Sequence, residues 1–286
     1  MITSPAGGGN DLPARLVAQG IAATLGQQVI VENRPSVLIG DLVAKAPPDG
    51  YTLLLSGGPH WLGPFFEKTS YDPVKDFAPI SIVDRAPVIL VVHPSMPIKS
   101  VKDLIALAKA RPGQLNYASG APGGSNHLAA ILFNHMAGVD IVRIPYSGSA
   151  PGMVALVGGH VHIMFPSAGG AWPHVKAGRL RALAMGSAEP SPLAPGVPTI
   201  AAMGVPGYVS DALHAAFAPA RTPAPIVEKL SQEIARYLKT TDAREKFLNT
   251  GAEPVSSTPD ELASMIKSEM ARIAKVVKAA GIPPPQ

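Results

Sequence analysis

The stretch best equipped for chemistry is residues 3–11, Thr-Ser-Pro-Ala-Gly-Gly-Gly-Asn-Asp. Its glycines let the backbone reach positive φ, and Asn10 or Asp11 can cap a helix starting near Leu12, so unpaired N–H groups point outward. That is an anion cradle. It holds no Lys or Arg, so a guest would be gripped by backbone dipoles, hydroxyls and waters. Asp11 either caps the helix or faces the guest. A bare carboxylate would repel an anion, which favours capping and a loop-supporting role.

Similar stretches recur at Ser56-Gly57-Gly58-Pro59-His60, at 119–126 (Ser-Gly-Ala-Pro-Gly-Gly-Ser-Asn), at 146–151 (Tyr-Ser-Gly-Ser-Ala-Pro) and at 166–170 (Pro-Ser-Ala-Gly-Gly). Any one of them reads equally well as an ordinary βα turn, but together they favour a binding cleft. No Gly-x-x-x-x-Gly-Lys-Ser/Thr is present and no third glycine completes a dinucleotide fingerprint, so nucleotides are disfavoured and no cofactor is expected. Without a Gly-x-Ser-x-Gly elbow or any cysteine, and with Ser125 and His127 too close in sequence to presume a dyad, a hydrolase is the weaker alternative and no catalytic residue is expected. His127 reads as a first-turn residue buttressing its loop. His160 and His162 share a strand face that a metal could use, but lack a third ligand; edge-strand histidines are the better account, and no metal is expected. The other histidines fit no ligand spacing. Trp61 reads as packing, while Tyr146 reads equally as packing or as a stacking platform.

The elements that would carry these loops follow from periodicity. Leu12, Leu16, Val17, Ile21 and Leu25 form one helical stripe stopped by Gly26. Strands are expected at 29–31, 51–55, 78–83, 88–93, 115–118, 141–145, 161–165 and 180–184. Helices are expected at 39–46, 100–110 (capped by Ser100 with Asp103), 127–136, 152–157, 199–203, 223–239, 242–249 and 259–280, with 209–219 an extended return. Alternating strands and helices without hairpin signals indicate an α/β class with mixed, mostly parallel sheets, whose ligands bind beyond the strand ends.

The 286 residues, 47% hydrophobic, suffice for two domains. The +4 charge comes from scattered Lys and Arg, which indicates solubility and no nucleic-acid partner. Absence of cysteine suits an exported protein, although no signal peptide is visible. Only Met1 and Ile2 precede the first loop, so its feeding strand is expected to be missing or stunted, as in a mature or truncated form.

Several motifs occur in order: Pro-Ala-Gly-Gly-Gly-Asn-Asp (5–11), Val-Glu-Asn-Arg-Pro (31–35), Pro-Asp-Gly-Tyr-Thr-Leu-Leu (48–54), Tyr-Asp-Pro-Val-Lys-Asp-Phe-Ala-Pro (71–79), Leu-Asn-Tyr-Ala-Ser-Gly (115–120), Pro-Tyr-Ser-Gly-Ser-Ala-Pro (145–151), Val-Pro-Thr-Ile-Ala (197–201) and Gly-Ala-Glu-Pro-Val (251–255). Across essentially the whole chain this resembles the Bug family, the TctC-type solute receptors of tripartite tricarboxylate transporters. The resemblance implies a periplasmic, two-lobed binding protein of the type II, Venus-flytrap fold. Its lobes would be 1–92 with 217–286, and 93–216, with hinge crossings near 88–94 and 209–219. It implies a carrier that takes a small organic acid to transporter membrane subunits, expected to be a monomer; the alternative reading is a ligand sensor presenting its closed form to a signalling partner. It also implies a carboxylate held by 5–9 and 119–125, with further contacts from 56–58 and 147–149. The ligand set is then Ser4, Pro5, Ala6, Gly7, Gly8, Ser56, Gly57, Gly58, Ser119, Gly120, Gly124, Ser125, Tyr146, Ser147, Ser149, Pro166 and Ser167.

Three departures from the family pattern matter. Ser4 stands where relatives usually carry an aromatic, Pro166-Ser167 where many place an Asp, and the glycine-rich stretch after Asn-Arg-Pro is shortened to 36–40. Without a carboxylate for an ammonium group, the expected ligand carries no positive charge.

Overall fold

The computed structural model describes residues 1–6 and 9–279. In chain order the first elements are β1 (Ile2–Thr3), α1 (Asp11–Leu25), β2 (Glu32–Asn33), α2 (Ser36–Ala44), β3 (Leu54–Gly57), α3 (Gly58–Leu62) and β4 (Phe77–Pro87). There follow β5 (Ile89–Val92), α4 (Val101–Ala110), β6 (Asn116–Ser119), α5 (Ser125–Ala137), β7 (Val142–Pro145), α6 (Ser149–Val157), β8 (Ile163–Met164), α7 (Ala168–Lys176) and β9 (Arg181–Met185). The last are β10 (Asp211–Pro219), α8 (Ala224–Leu238), α9 (Thr241–Asn249), β11 (Glu253–Pro254) and α10 (Pro259–Ala279).

Two compact units result: Met1–Arg85 with Leu213–Ala274, and Ala86–Ala212 with the stretch from Lys275. The first is built on a sheet of order β11-β4-β10-β3-β1-β2, the second on β7-β6-β8-β5-β9. Both are mixed, as the α/β pattern led one to expect. β1 runs parallel to β2 and β3, and β6 to β7 and β8. β3–β10, β4–β11, β5–β8 and β5–β9 are antiparallel.

The feeding strand of the first loop is stunted but present. β1 lies between β2 and β3, and is extended by Ile2 N–H to Leu53 O and by the Met1 ammonium donating to Ile30 O. α1 buries Ala14, Val17, Ala18 and Ile21 and stops at Gly26, whose φ of 65° is left-handed. Ser100 Oγ accepts from Asp103 N–H, while Asp103 accepts from Lys99 N–H, so the expected start of α4 forms. In the second unit, Ala118, Leu156, Met164, Ala168 and Met185 belong to one buried cluster.

Three local expectations change. Residues 199–203 are turns rather than a helix, because Met185 N–H reaches Pro198 O and Ile200 N–H returns to Met185 O, holding this segment as a bridge to β9. The strand expected at 29–31 forms at 32–33, where β1 pairs with it. Residues 56–60 are not a loop, since β3 runs through Gly57 and α3 starts at Gly58. No described helix is long and apolar enough to cross a membrane.

Candidate functional site

In the first unit the described part of the glycine loop is tied down at its start. Asn33 Nδ2 donates to Ser4 O and to Asp11 Oδ1, each at 2.8 Å, and Arg15 reaches Asp11 at 3.0 Å and Asn33 Oδ1 at 2.9 Å. Asp11 therefore supports the loop through Asn33. Neither Asn10 nor Asp11 caps α1 as expected: Asn10 occupies the cap position but makes no side-chain cap bond, and Asp11 lies inside the helix, where Arg15 is one turn away. Ser4 is buried, whereas Pro5, Ala6 and Gly9 are exposed. Gly7 and Gly8 lie outside the described residues.

β3 brings its end beside this loop. Gly57 pairs with His214 of β10, and a Cβ on Gly57 would lie 2.9 Å from Leu213 O, 3.2 Å from His214 Cδ2 and 3.4 Å from Asn10 Oδ1. Only glycine fits there. Ser56 is buried and, by strand alternation, faces the other side of the sheet from Gly57; Gly58 begins α3. Trp61 is buried and its Nε1 donates to Glu269 at 2.7 Å, in keeping with packing. Burial raises the Glu269 pKa, partly offset by that hydrogen bond.

The second unit presents the strand–loop–helix motif of 119–126. Ser119 is fully buried, and its Oγ accepts from Arg143 Nε at 2.7 Å, while Arg143 Nη2 donates to Gly120 O at 2.8 Å. Gly120 N–H turns to Asn126 Oδ1 (3.4 Å) and Gly123 N–H to His127 Nδ1 (3.1 Å). Some of the cradle's donors are thus used to shape the loop. His127 is neutral, its pKa lowered to about 3 by burial and then by Arg143, which suits an acceptor of a backbone N–H. Gly124 precedes α5, and Ser125 is its first residue.

The neighbouring loop closes on this one. A Cβ on Gly120 would lie 3.3 Å from Gly148 Cα, and Asn126 Nδ2 donates to Ser149 Oγ at 3.1 Å. Ser147 and Ser149 are exposed. Tyr146 is half-buried against the cluster beneath, with Gly152 close to its ring. Pro166 is buried and its carbonyl accepts from Ile89 N–H, so it continues the sheet; Ser167 opens α7 without a side-chain cap bond.

Among the described residues no group of three or more His, Cys, Asp or Glu could hold a metal. His162 Nδ1 accepts from Asn116 N–H, so this ring nitrogen serves the backbone of β6. Sequence reasoning missed Asn33, Asn126 and Arg143, whose side chains hold the two loops. His214, inside Ala-Leu-His-Ala-Ala-Phe, was passed over as well, although an imidazole in an apolar strand is a reason to look for a distant partner.

The sequence profile of the tripartite tricarboxylate transporter family receptor (TctC) matches residues 13–282. BugT of Bordetella pertussis strain Tohama I is 38% identical over 287 residues, covering 98% of this chain and 88% of that protein. Among solved structures, R. palustris Rpa4515 with adipate is similar at TM-score 0.90 and 36% identity, covering 99% of this chain and 97% of that one. The periplasmic binding protein BugD is similar at TM-score 0.87 and 29% identity, covering 100% and 98%. The fold is thus that of periplasmic binding proteins, and the chain belongs to the TctC family of tripartite tricarboxylate transporter receptors.

Proposed function

We propose that this protein captures a small organic carboxylate outside the cytoplasm and delivers it to the membrane subunits of a tripartite tricarboxylate transporter. The observation that carries the reading is the likeness, over nearly the full length, to Rpa4515 with adipate. The position of the loops after β1 and β6, each followed by a helix, supports the reading, since helix starts are where backbone donors for a carboxylate are found. The contacts are assigned to 4–9, 57–58, 120–125 and 146–149, with Pro166 and Ser167 lining the site. Capture is reversible and involves no bond-making on the ligand.

The same reading assigns a ligand without an ammonium group, since the chain has Pro166-Ser167 where an acid would be required and Ser4 in place of an aromatic. Isothermal calorimetry against adipate, malate, aspartate, glutamate and the diamide of adipate tests it. Binding of adipate or malate with none of the diamide is expected; preference for aspartate or glutamate would overturn the uncharged-tail assignment. A thermal shift gives an independent readout, because a ligand at 100 times its Kd stabilises by about 2.7 kcal/mol.

A further inference from the structure

A titratable ring stands beside Gly9 and Gly57, contributed by a strand more than 200 residues from the first loop. His214 of β10 lies opposite Gly57 of β3. Its Nδ1 is 2.6 Å from Oδ1 of Asp84 on β4, a side chain with no exposure. Asp84 is its only hydrogen-bond partner among the described residues, so Nε2 has none, although the side chain is just 12% exposed. That free end approaches the loop: Nε2 is 3.7 Å from where a Cβ on Gly9 would stand, and Cδ2 is 3.2 Å from the corresponding point on Gly57. Two glycines therefore stand against the edge of the ring.

A buried carboxylate whose second oxygen lacks a partner among the described residues needs a compensating charge, and the imidazolium is the one in contact with it. The pair then forms a dipole with its positive end at the glycine loop. Resting on the carboxylate-receptor reading above, we infer that His214 is a ligand-binding residue, its Nε2–H donating to a ligand carboxylate beside Gly9 and Gly57, and that Asp84 is the positioning residue that sets its tautomer and charge.

Burial alone would lower the His214 pKa, but the charge and hydrogen bond of Asp84 outweigh it and the net shift is upward. Gly57 on β3 and Gly9 on the loop, which stand next to the ring, carry no charge. Arg85, next to Asp84, is exposed on the alternate face of β4, and Asp11 is engaged by Arg15 and Asn33. Because the folded pKa lies above the ordinary value, the charged ring and its contribution to affinity are present at low pH and are lost as pH rises through that folded pKa.

The experiment is calorimetry of adipate binding across about pH 5.5–9 with wild type, His214→Gln and Asp84→Asn, each first checked for folding by circular dichroism. His214→Gln should weaken binding about ten- to hundredfold at neutral pH, the range for loss of a charge-assisted hydrogen bond, and flatten the pH profile. Asp84→Asn should move the midpoint of the profile downward. Since either variant could fail to fold, the His214 ring is also followed by NMR in the wild type, where saturating adipate should raise its pKa. A folded His214→Gln with wild-type affinity and pH profile, or a His214 pKa indifferent to adipate, overturns the assignment. If wild type itself binds none of the acids named above, the receptor reading fails first and this assignment falls with it.

Discussion

Arg143 offers the sharpest mutational test of how the second glycine loop is held. Its guanidinium makes two hydrogen bonds from one fork, Nε to the buried Ser119 Oγ at 2.7 Å and Nη2 to Gly120 O at 2.8 Å. Arg143→Met removes both and leaves a buried hydroxyl without its donor. A hydrogen bond from a charged group contributes about 1.5–3 kcal/mol, but Arg143 is only part-buried and solvent screens part of that. The two together should amount to about 2–3 kcal/mol, which at roughly 2 °C per kcal/mol for a chain of this length lowers Tm by about 4–6 °C. Arg143→Lys keeps the charge but not the fork, so it should recover little of the loss. Calorimetric melting of the three proteins measures this. His127 gives a second readout: without Arg143 its pKa should rise from about 3, yet stay below the ordinary histidine value because burial, the larger cause, is unchanged. A lysine variant as stable as wild type would refute the argument from geometry and reduce Arg143 to a point charge.

Two further perturbations follow from packing. His60 is fully buried among Tyr71, Phe77 and Phe217, neither ring nitrogen has a hydrogen-bond partner among the described residues, and burial lowers its pKa to about 3. A histidine with a folded pKa below its unfolded one binds more protons when unfolded, so it destabilises the fold as pH drops from about 6.5 towards 3, by up to about 1.4 kcal/mol per pH unit. His60→Leu should reduce that acid slope in denaturant titrations without loss of stability at pH 7; an unchanged slope would refute the reading. Gly57→Ala places a Cβ 2.9 Å from a backbone oxygen and against His214 and Asn10, so adipate affinity should fall at least about tenfold, equivalent to 1.4 kcal/mol. Titration of that variant at unchanged Kd would show that the strand end is not part of the site.

Much of this molecule was legible in its local patterns. The stripe of α1 with Gly26, the Ser100 cap, the amphipathic α8 and the strand–glycine–helix passages at 119–126 are each specified by residues within a few positions of one another, and short-range periodicity and capping chemistry report such features directly. The family motifs were legible for the same reason. What stayed hidden depends on residues far apart in the chain. Residues 56–60 read as a loop because glycines and a proline usually punctuate, but pairing with β10 carries β3 straight into α3. The Thr199 turn is held by Met185, and the loop at 119–120 is shaped by Arg143 from the next strand. The first glycine loop, read locally as a cradle without a cation, has the imidazole of His214 beside Gly9, because β10 and β4 bring His214 and Asp84 together from 130 residues apart. Local sequence is enough to choose helix, strand or turn where short-range terms dominate, whereas the partner of a buried polar group is selected by sheet register and burial, and these exist only once the chain has folded.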